Sequence, residues 1–141
     1  MKKCCLFIVL FTVLSLPAQR LEVKVEGVRS VTGQLCIALF ADEQSFKDEI
    51  TCWKKYYLKT DLISCNYEII IDIPPGCYGL SVLDDENMNC KMNYRLLKIP
   101  KEGFGFSNYY HKGLQRPAFK SFSFNIEKNQ TLPITVVMKY L

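Results

Sequence analysis

Over most of the stretch from residue 21 to residue 140 the hydrophobic pattern repeats every second residue, and this period restricts the chain to sheet architectures. Leu21, Val23 and Val25 alternate with Glu22, Lys24 and Glu26, the mark of a strand with one buried and one wet face, and Gly27 ends it. Residues 33–40 carry Leu35-Cys36-Ile37-Ala38-Leu39-Phe40, apolar on both faces, which places that strand in the middle of a sheet. Further strands are expected over 53–59, 66–73, 77–83, 119–126 and 132–140. Pro74-Pro75-Gly76 makes a turn, because neither proline can donate to a ladder. Residues 42–50 are polar, with Phe46 and Ile50 four apart, which suits a loop or one or two helical turns anchored by those two side chains. The expectation is an all-β fold, an antiparallel β-sandwich of immunoglobulin-like or transthyretin-like kind with about seven strands.

The N-terminus breaks this pattern. Met1-Lys2-Lys3 is a basic start, residues 4–16 form an apolar run, and Pro17-Ala18-Gln19 interrupts it with a small residue. That three-part layout reads as a secretory signal peptide over residues 1–18, too short for a comfortable membrane anchor. Its removal leaves one β-sandwich domain, 19–141, with no transmembrane segment, and an exported protein that is periplasmic, on the cell surface or secreted.

Removing those residues also lowers the formal charge from +4 to +2, since Lys2 and Lys3 go with the segment. So small an excess gives no case for nucleic acid. Five cysteines stay: Cys36, Cys52, Cys65, Cys77 and Cys90. Their odd number leaves at least one thiol free or paired between chains, and with no Cys-x-x-Cys they suggest neither a zinc knuckle nor a redox centre. Most read as small buried apolar residues, with a Cys52–Cys65 or Cys36–Cys77 bridge as the alternative. His111 is the chain's one histidine, so a site built on several histidine ligands within one copy is excluded.

Residues 84–118 have no clear period, and a connection this long inside a compact domain is usually functional or disordered. Leu96, Leu97, Ile99, Phe104, Phe106, Tyr109 and Tyr110 supply apolar anchors, so an ordered excursion over one end of the sandwich is expected. Phe104, Phe106, Asn108, Tyr109 and His111 form a candidate ligand-binding surface, with glycines admitting close approach and aromatic rings supplying contact area. Lys98, Lys101, Lys112, Arg116 and Lys120 frame it with positive charge, which suits an anionic glycan or an acidic segment of an envelope protein. In the alternative reading the aromatics pack inward and plug the open end of the sandwich.

The strings Asp84-Asp85-Glu86-Asn87-Met88-Asn89-Cys90-Lys91-Met92-Asn93 and Ile99-Pro100-Lys101-Glu102-Gly103-Phe104-Gly105-Phe106-Ser107-Asn108 stand with Pro117-Ala118-Phe119 and Pro74-Pro75-Gly76-Cys77-Tyr78. Together they resemble the domain of unknown function 2141 family. The resemblance implies a small exported bacterial protein with a sandwich-like fold and no assigned activity. Members of that family typically read Asp-x-Asn-Gly-Asn-Gly-Lys-x-Asp across the first string, a series similar to a calcium loop. Here Met88 and Cys90 replace the glycines and Asn93 replaces the final aspartate. Asp85, Asn87, Asn89 and Asn93 keep the alternating oxygens that calcium prefers, with one carboxylate among them, so any bound calcium is expected to be weak.

A catalytic reading has little to use. His111 with Cys90 lacks a third residue to orient the imidazole. Asp84, Asp85, Glu86 and Glu102 could serve sugar hydrolysis but are more simply read as turn formers. The expected role is therefore a non-catalytic binding or structural module of the bacterial envelope that requires no cofactor. A calcium-stiffened module and a hydrolase built on the 84–118 loop are the alternatives.

Overall fold

A computed structural model describes residues 19–62 and 67–141, so the expected signal peptide and Cys65 lie outside the described residues. Among the described residues, eight strands form two sheets. β1 (Arg20–Glu26), β4 (Tyr67–Asp72) and β8 (Thr131–Val137) make the smaller sheet in the order β4-β1-β8. β2 (Gln34–Phe40), β3 (Trp53–Leu58), β5 (Gly76–Asp85) and β6 (Gly103–Phe106) make the larger one in the order β3-β2-β5-β6, with β7 (Ser123–Ile126) also paired to β5. Both β6 and β7 lie along the same edge of β5, β7 against residues 76–79 and β6 against 81–84.

Period-two alternation builds the interior. Leu21, Val23 and Val25 of β1, with Tyr67, Ile69 and Ile71 of β4 and Ile134 and Val136 of β8, face Leu35, Ile37 and Leu39 of β2 and Leu80 and Val82 of β5. All of these are buried. Pairing is antiparallel except between β1 and β8, which run parallel with Leu21 opposite Leu132 and Val23 opposite Ile134. The sandwich is thus all-β but not wholly antiparallel.

β2 is buried at every position, as a central strand with two apolar faces must be. Its outer face is covered by a second cluster of Ala38, Phe40, Phe46, Phe106, Phe119 and Phe122. Phe46 belongs to a short helix, α1 (Glu43–Lys47), whose first turn is closed by a reciprocal pair of bonds between Asp42 and Ser45. Ile50, the other expected anchor, is 65% exposed.

Four further expectations need correction. β6 lies inside the segment read as one long loop, and β5 runs on to Asp85, so the stretch between strands starts at Glu86 and ends at Glu102, with a 3-10 turn at Leu96–Lys98 within it. Leu96 and Leu97 anchor nothing, being 91% and 92% exposed. The strand expected over 119–126 opens with a 3-10 turn, Phe119–Ser121, and is a strand only from Ser123. Cys36, Cys52, Cys77 and Cys90 are free thiols, so Cys36 and Cys77 form no bridge, and only Cys36 is buried, so the expectation that most of the cysteines are buried does not hold for these four.

No helix among the described residues is long and apolar enough to cross a membrane.

Candidate functional site

Residues directly opposite one another in an antiparallel ladder point to the same face. In the larger sheet this produces two outward rows, Tyr56–Cys36–Leu83–Phe104 and Lys54–Ala38–Ser81–Phe106. All of them except Tyr56 line the floor of a cavity of about 610 Å3. Phe46 and Arg116 stand at one side, and Cys90, Met92, Tyr94 and Pro100 of the irregular stretch at the other. The inward positions of β6 are glycines. A Cβ on Gly105 would stand 2.5 Å from Val136 Cγ1 and 2.9 Å from the Val137 carbonyl, so only glycine lets β6 lie this close to β8. Phe104 exchanges backbone bonds with Lys139 at 3.0 and 2.7 Å, which ties the two sheets together there and leaves both β6 aromatics facing the cavity.

The candidate ligand-binding residues divide. Phe104, Phe106 and His111 line the cavity. The aromatics neither plug an end of the sandwich nor stand free in solvent; they cover the outer face of the larger sheet. Asn108 serves the fold instead: with φ 49° it turns the chain after β6, accepts from the Thr135 N–H at 2.9 Å and donates its own N–H to the Thr135 carbonyl at 2.8 Å. Tyr109 packs against the outer aromatic cluster without lining the cavity. His111 is tucked among Phe104, Phe106 and Tyr109, with ring centroids 6.0–6.4 Å away. Both of its ring nitrogens are shielded from solvent and lack a hydrogen-bond partner. Cys36, Ala38, Phe40 and Phe46 also line the cavity and were not among the sequence candidates; the two-faced apolar pattern of β2 was the signal that something must cover them.

Positive charge surrounds the opening. Lys54, Lys91, Lys98 and Arg116 line the cavity against one acid, Glu49. Arg116 is committed, with Nη2 2.5 Å from Glu49 Oε1 and Nη1 donating to the carbonyls of Phe46 and Lys47. Lys91 and Lys98 hold no ion pair among the described residues. Burial pushes the Cys36 thiol pKa up, so this thiol is held in its neutral, unreactive form.

The same alternation splits two neighbouring carboxylates. Asp84 shares the inward row with Leu35 and Gly103, whereas Asp85 shares the outward row with Gln34. Asp84 is wholly buried, with Oδ1 2.5 Å from Nζ of the equally buried Lys59 and Oδ2 accepting from the Tyr140 hydroxyl at 2.6 Å. Burial, then this carboxylate, pushes the Tyr140 phenol well above its ordinary value. Arg29 lies over the Tyr140 ring and grips Glu86 with two bonds of 2.9 and 2.7 Å, holding the Glu86 carboxyl below the usual range.

Asp85 takes three uncharged donors: Gln34 Nε2 at 2.8 Å, the Cys90 N–H at 2.8 Å and the Asn89 N–H at 3.1 Å. Asn87, Asn89 and Asn93 do come together, the first two donating side-chain N–H groups to Asn93 Oδ1 at 2.9 and 2.7 Å. Met88 and Cys90 sit at φ 59° and 63°, left-handed conformations that suit glycine. Burial raises the Glu102 carboxyl pKa. Cys90 Sγ accepts from Gln34 at 3.4 Å and has no bond to His111.

A family model described as "uncharacterized protein conserved in bacteria (DUF2141)" matches residues 23–133. The chain, all-β in its described residues, belongs to this family. No curated protein and no solved structure matches it.

Proposed function

We propose that the protein is an exported, non-catalytic binding module of the bacterial cell envelope, and that its outer-face cavity takes an amphipathic ligand with an anionic group. The observation that carries this reading is the cavity itself: about 610 Å3, floored by Cys36, Ala38, Leu83, Phe104 and Phe106 and bordered by lysines without ion-pair partners. An apolar floor rewards burial of an apolar body at about 25 cal/mol per Å2, and the lysines give an anion a preferred end. His111, with two unbonded nitrogens in the cavity wall, offers a further polar contact to a ligand. The basic start and apolar run of residues 1–16 support export.

The carboxylates support the non-catalytic part. Asp84, Asp85 and Glu86 are each held by bonds that build the fold, which leaves none of them free as a general base. The test is a fluorescence titration with dodecanoate beside dodecanol. Saturable dodecanoate binding, weakened about tenfold by Lys98→Ala and abolished by Ala38→Trp without loss of the β circular-dichroism signal, is expected. Dodecanoate binding unchanged by Ala38→Trp, or no binding at all, would discard the cavity as the ligand site.

A further inference from the structure

Between Glu86 and Glu127 the chain carries seven Lys or Arg side chains and one acid, Glu102, which is buried. All seven cations are exposed, and all but Arg116 hold no ion pair among the described residues. The same segment presents large apolar side chains to solvent: Leu96 and Leu97 almost entirely, Tyr94, Tyr110 and Leu114 by half or more. Tyr94 and Lys98 line the cavity from one part of the segment, and Leu114 and Arg116 from another. Cationic and apolar groups thus share the rim of one opening.

The two leucines stand on a braced projection. At its base the Lys101 N–H donates to the Asn93 carbonyl at 2.9 Å and Tyr94 bridges Pro100; above that the Arg95 N–H donates to the Ile99 carbonyl at 2.7 Å. Leu96 and Leu97 form the tip, in a 3-10 turn where Leu97 and Lys98 sit at φ 63° and 57°. Left-handed backbone at two successive residues with side chains is unfavourable, and here it accompanies a turn that holds both leucines out in water. A single exposed leucine is ordinary. Two adjacent ones at a braced tip, between Arg95 and Lys98, make an apolar point with a cationic border.

We infer that this rim docks on an anionic phospholipid bilayer, with Leu96 and Leu97 inserted at the boundary between headgroups and acyl chains and Arg95, Lys98 and the neighbouring lysines against lipid phosphates. A protein partner would need a broad, closely fitted apolar patch, whereas the tip is two side chains wide. A bilayer asks for no matching pocket: it accepts an apolar point to a depth of about 5–10 Å and holds the cations beside it. The one-signed charge of the rim complements the one-signed charge of such a surface. Docking stands on the rim alone and does not require an occupied cavity. Joined to the ligand reading above, it sets the cavity mouth against a surface composed of anionic amphipaths.

Vesicle co-sedimentation provides the test, with phosphatidylcholine vesicles prepared with and without phosphatidylglycerol. The protein is used without residues 1–18, whose apolar run would bind bilayers by itself; all eight strands lie beyond them. Binding to the mixed vesicles is expected, weaker by about tenfold or more on phosphatidylcholine alone and in high salt. Leu96→Ser with Leu97→Ser should weaken it about tenfold or more, and Arg95→Ala about fivefold. A Leu97→Trp protein should show a blue-shifted emission on the mixed vesicles, quenched by brominated acyl chains, that the natural chain with its Trp53 does not. The leucine variant should bind dodecanoate as the natural chain does, and Ala38→Trp should still bind vesicles, so that the docking surface and the cavity can each fail alone. The inference is overturned by absence of binding to the mixed vesicles, by unchanged binding of the double leucine variant, or by a Leu97→Trp emission that the vesicles leave unshifted. A requirement for the leucines in capturing a protein, without vesicle binding, overturns it as well.

Discussion

The two faces of the larger sheet solve opposite problems with the same strands. Its inward face meets the smaller sheet, and every apolar side chain there has a partner: Leu35, Ile37, Leu39, Leu80 and Val82 are at most 1% exposed. Its outward face has no second sheet. The short helix, β6 and the segment around Phe119 and Phe122 cover it partly, leaving a cavity between themselves and the strands. Asp84 and Asp85 carry the contrast to adjacent residues. Inward Asp84 is locked to a buried lysine, while outward Asp85 organises a loop through neutral donors. A face closed by a sheet becomes a core; a face closed by loops keeps space that a ligand can occupy.

The contrast can be broken hardest at its inner carboxylate. Lys59→Ala strands the Asp84 charge in the interior and should cost about 3–5 kcal/mol, read as a fall in unfolding free energy in urea. A Lys59→Met, Asp84→Leu pair should recover most of that loss, because two apolar residues need no mutual compensation. Loss of stability in the single variant below 1 kcal/mol would mean that water reaches the pair.

A matched pair of truncations sharpens the comparison of the faces themselves. Leu35→Ala, in the closed interior, is expected to cost about 3 kcal/mol, whereas Phe104→Ala, on the half-buried outer row, should cost about 1 kcal/mol despite removing the larger side chain. Equal losses would show that the outer cluster is packed as tightly as the core. The smallest effect is expected at Met88. Its φ of 59° is adopted against the preference of a side chain, so Met88→Gly should raise stability by roughly 0.5–1 kcal/mol in denaturant melts.

Much of the fold was legible because its strands alternate cleanly. β1 and β4 bury every second residue, and β2 is apolar on both sides, which the structure meets by giving it strand neighbours and covering both its faces. β6 escaped notice for a physical reason: its inward positions are Gly103 and Gly105, which have no side chain to mark a buried face. Leu96 and Leu97 misled in the other direction, since hydrophobicity alone does not reveal whether a loop residue finds a surface to cover. Of the candidate site, Phe104, Phe106 and His111 were identified from their own segment, but Cys36, Ala38 and Phe40 come from a strand more than sixty residues earlier in the chain. Glu102 read as one of four loop acids; its buried, unbonded oxygen depends on how the loop folds back onto Asn93.

By itself the sequence determined the class of fold and the identity of its central strand, because a two-residue period has one solution, a pleated ladder with one set of side chains inward. It also determined the family, through short strings whose order survives without knowledge of the fold. Only the tertiary structure decided which face stayed partly open, that Lys59 would be buried against Asp84, and which loop side chains would share a cavity. Those outcomes depend on register between strands distant in sequence, where a slip of one residue would have exchanged Asp84 for Asp85 and turned the core outward.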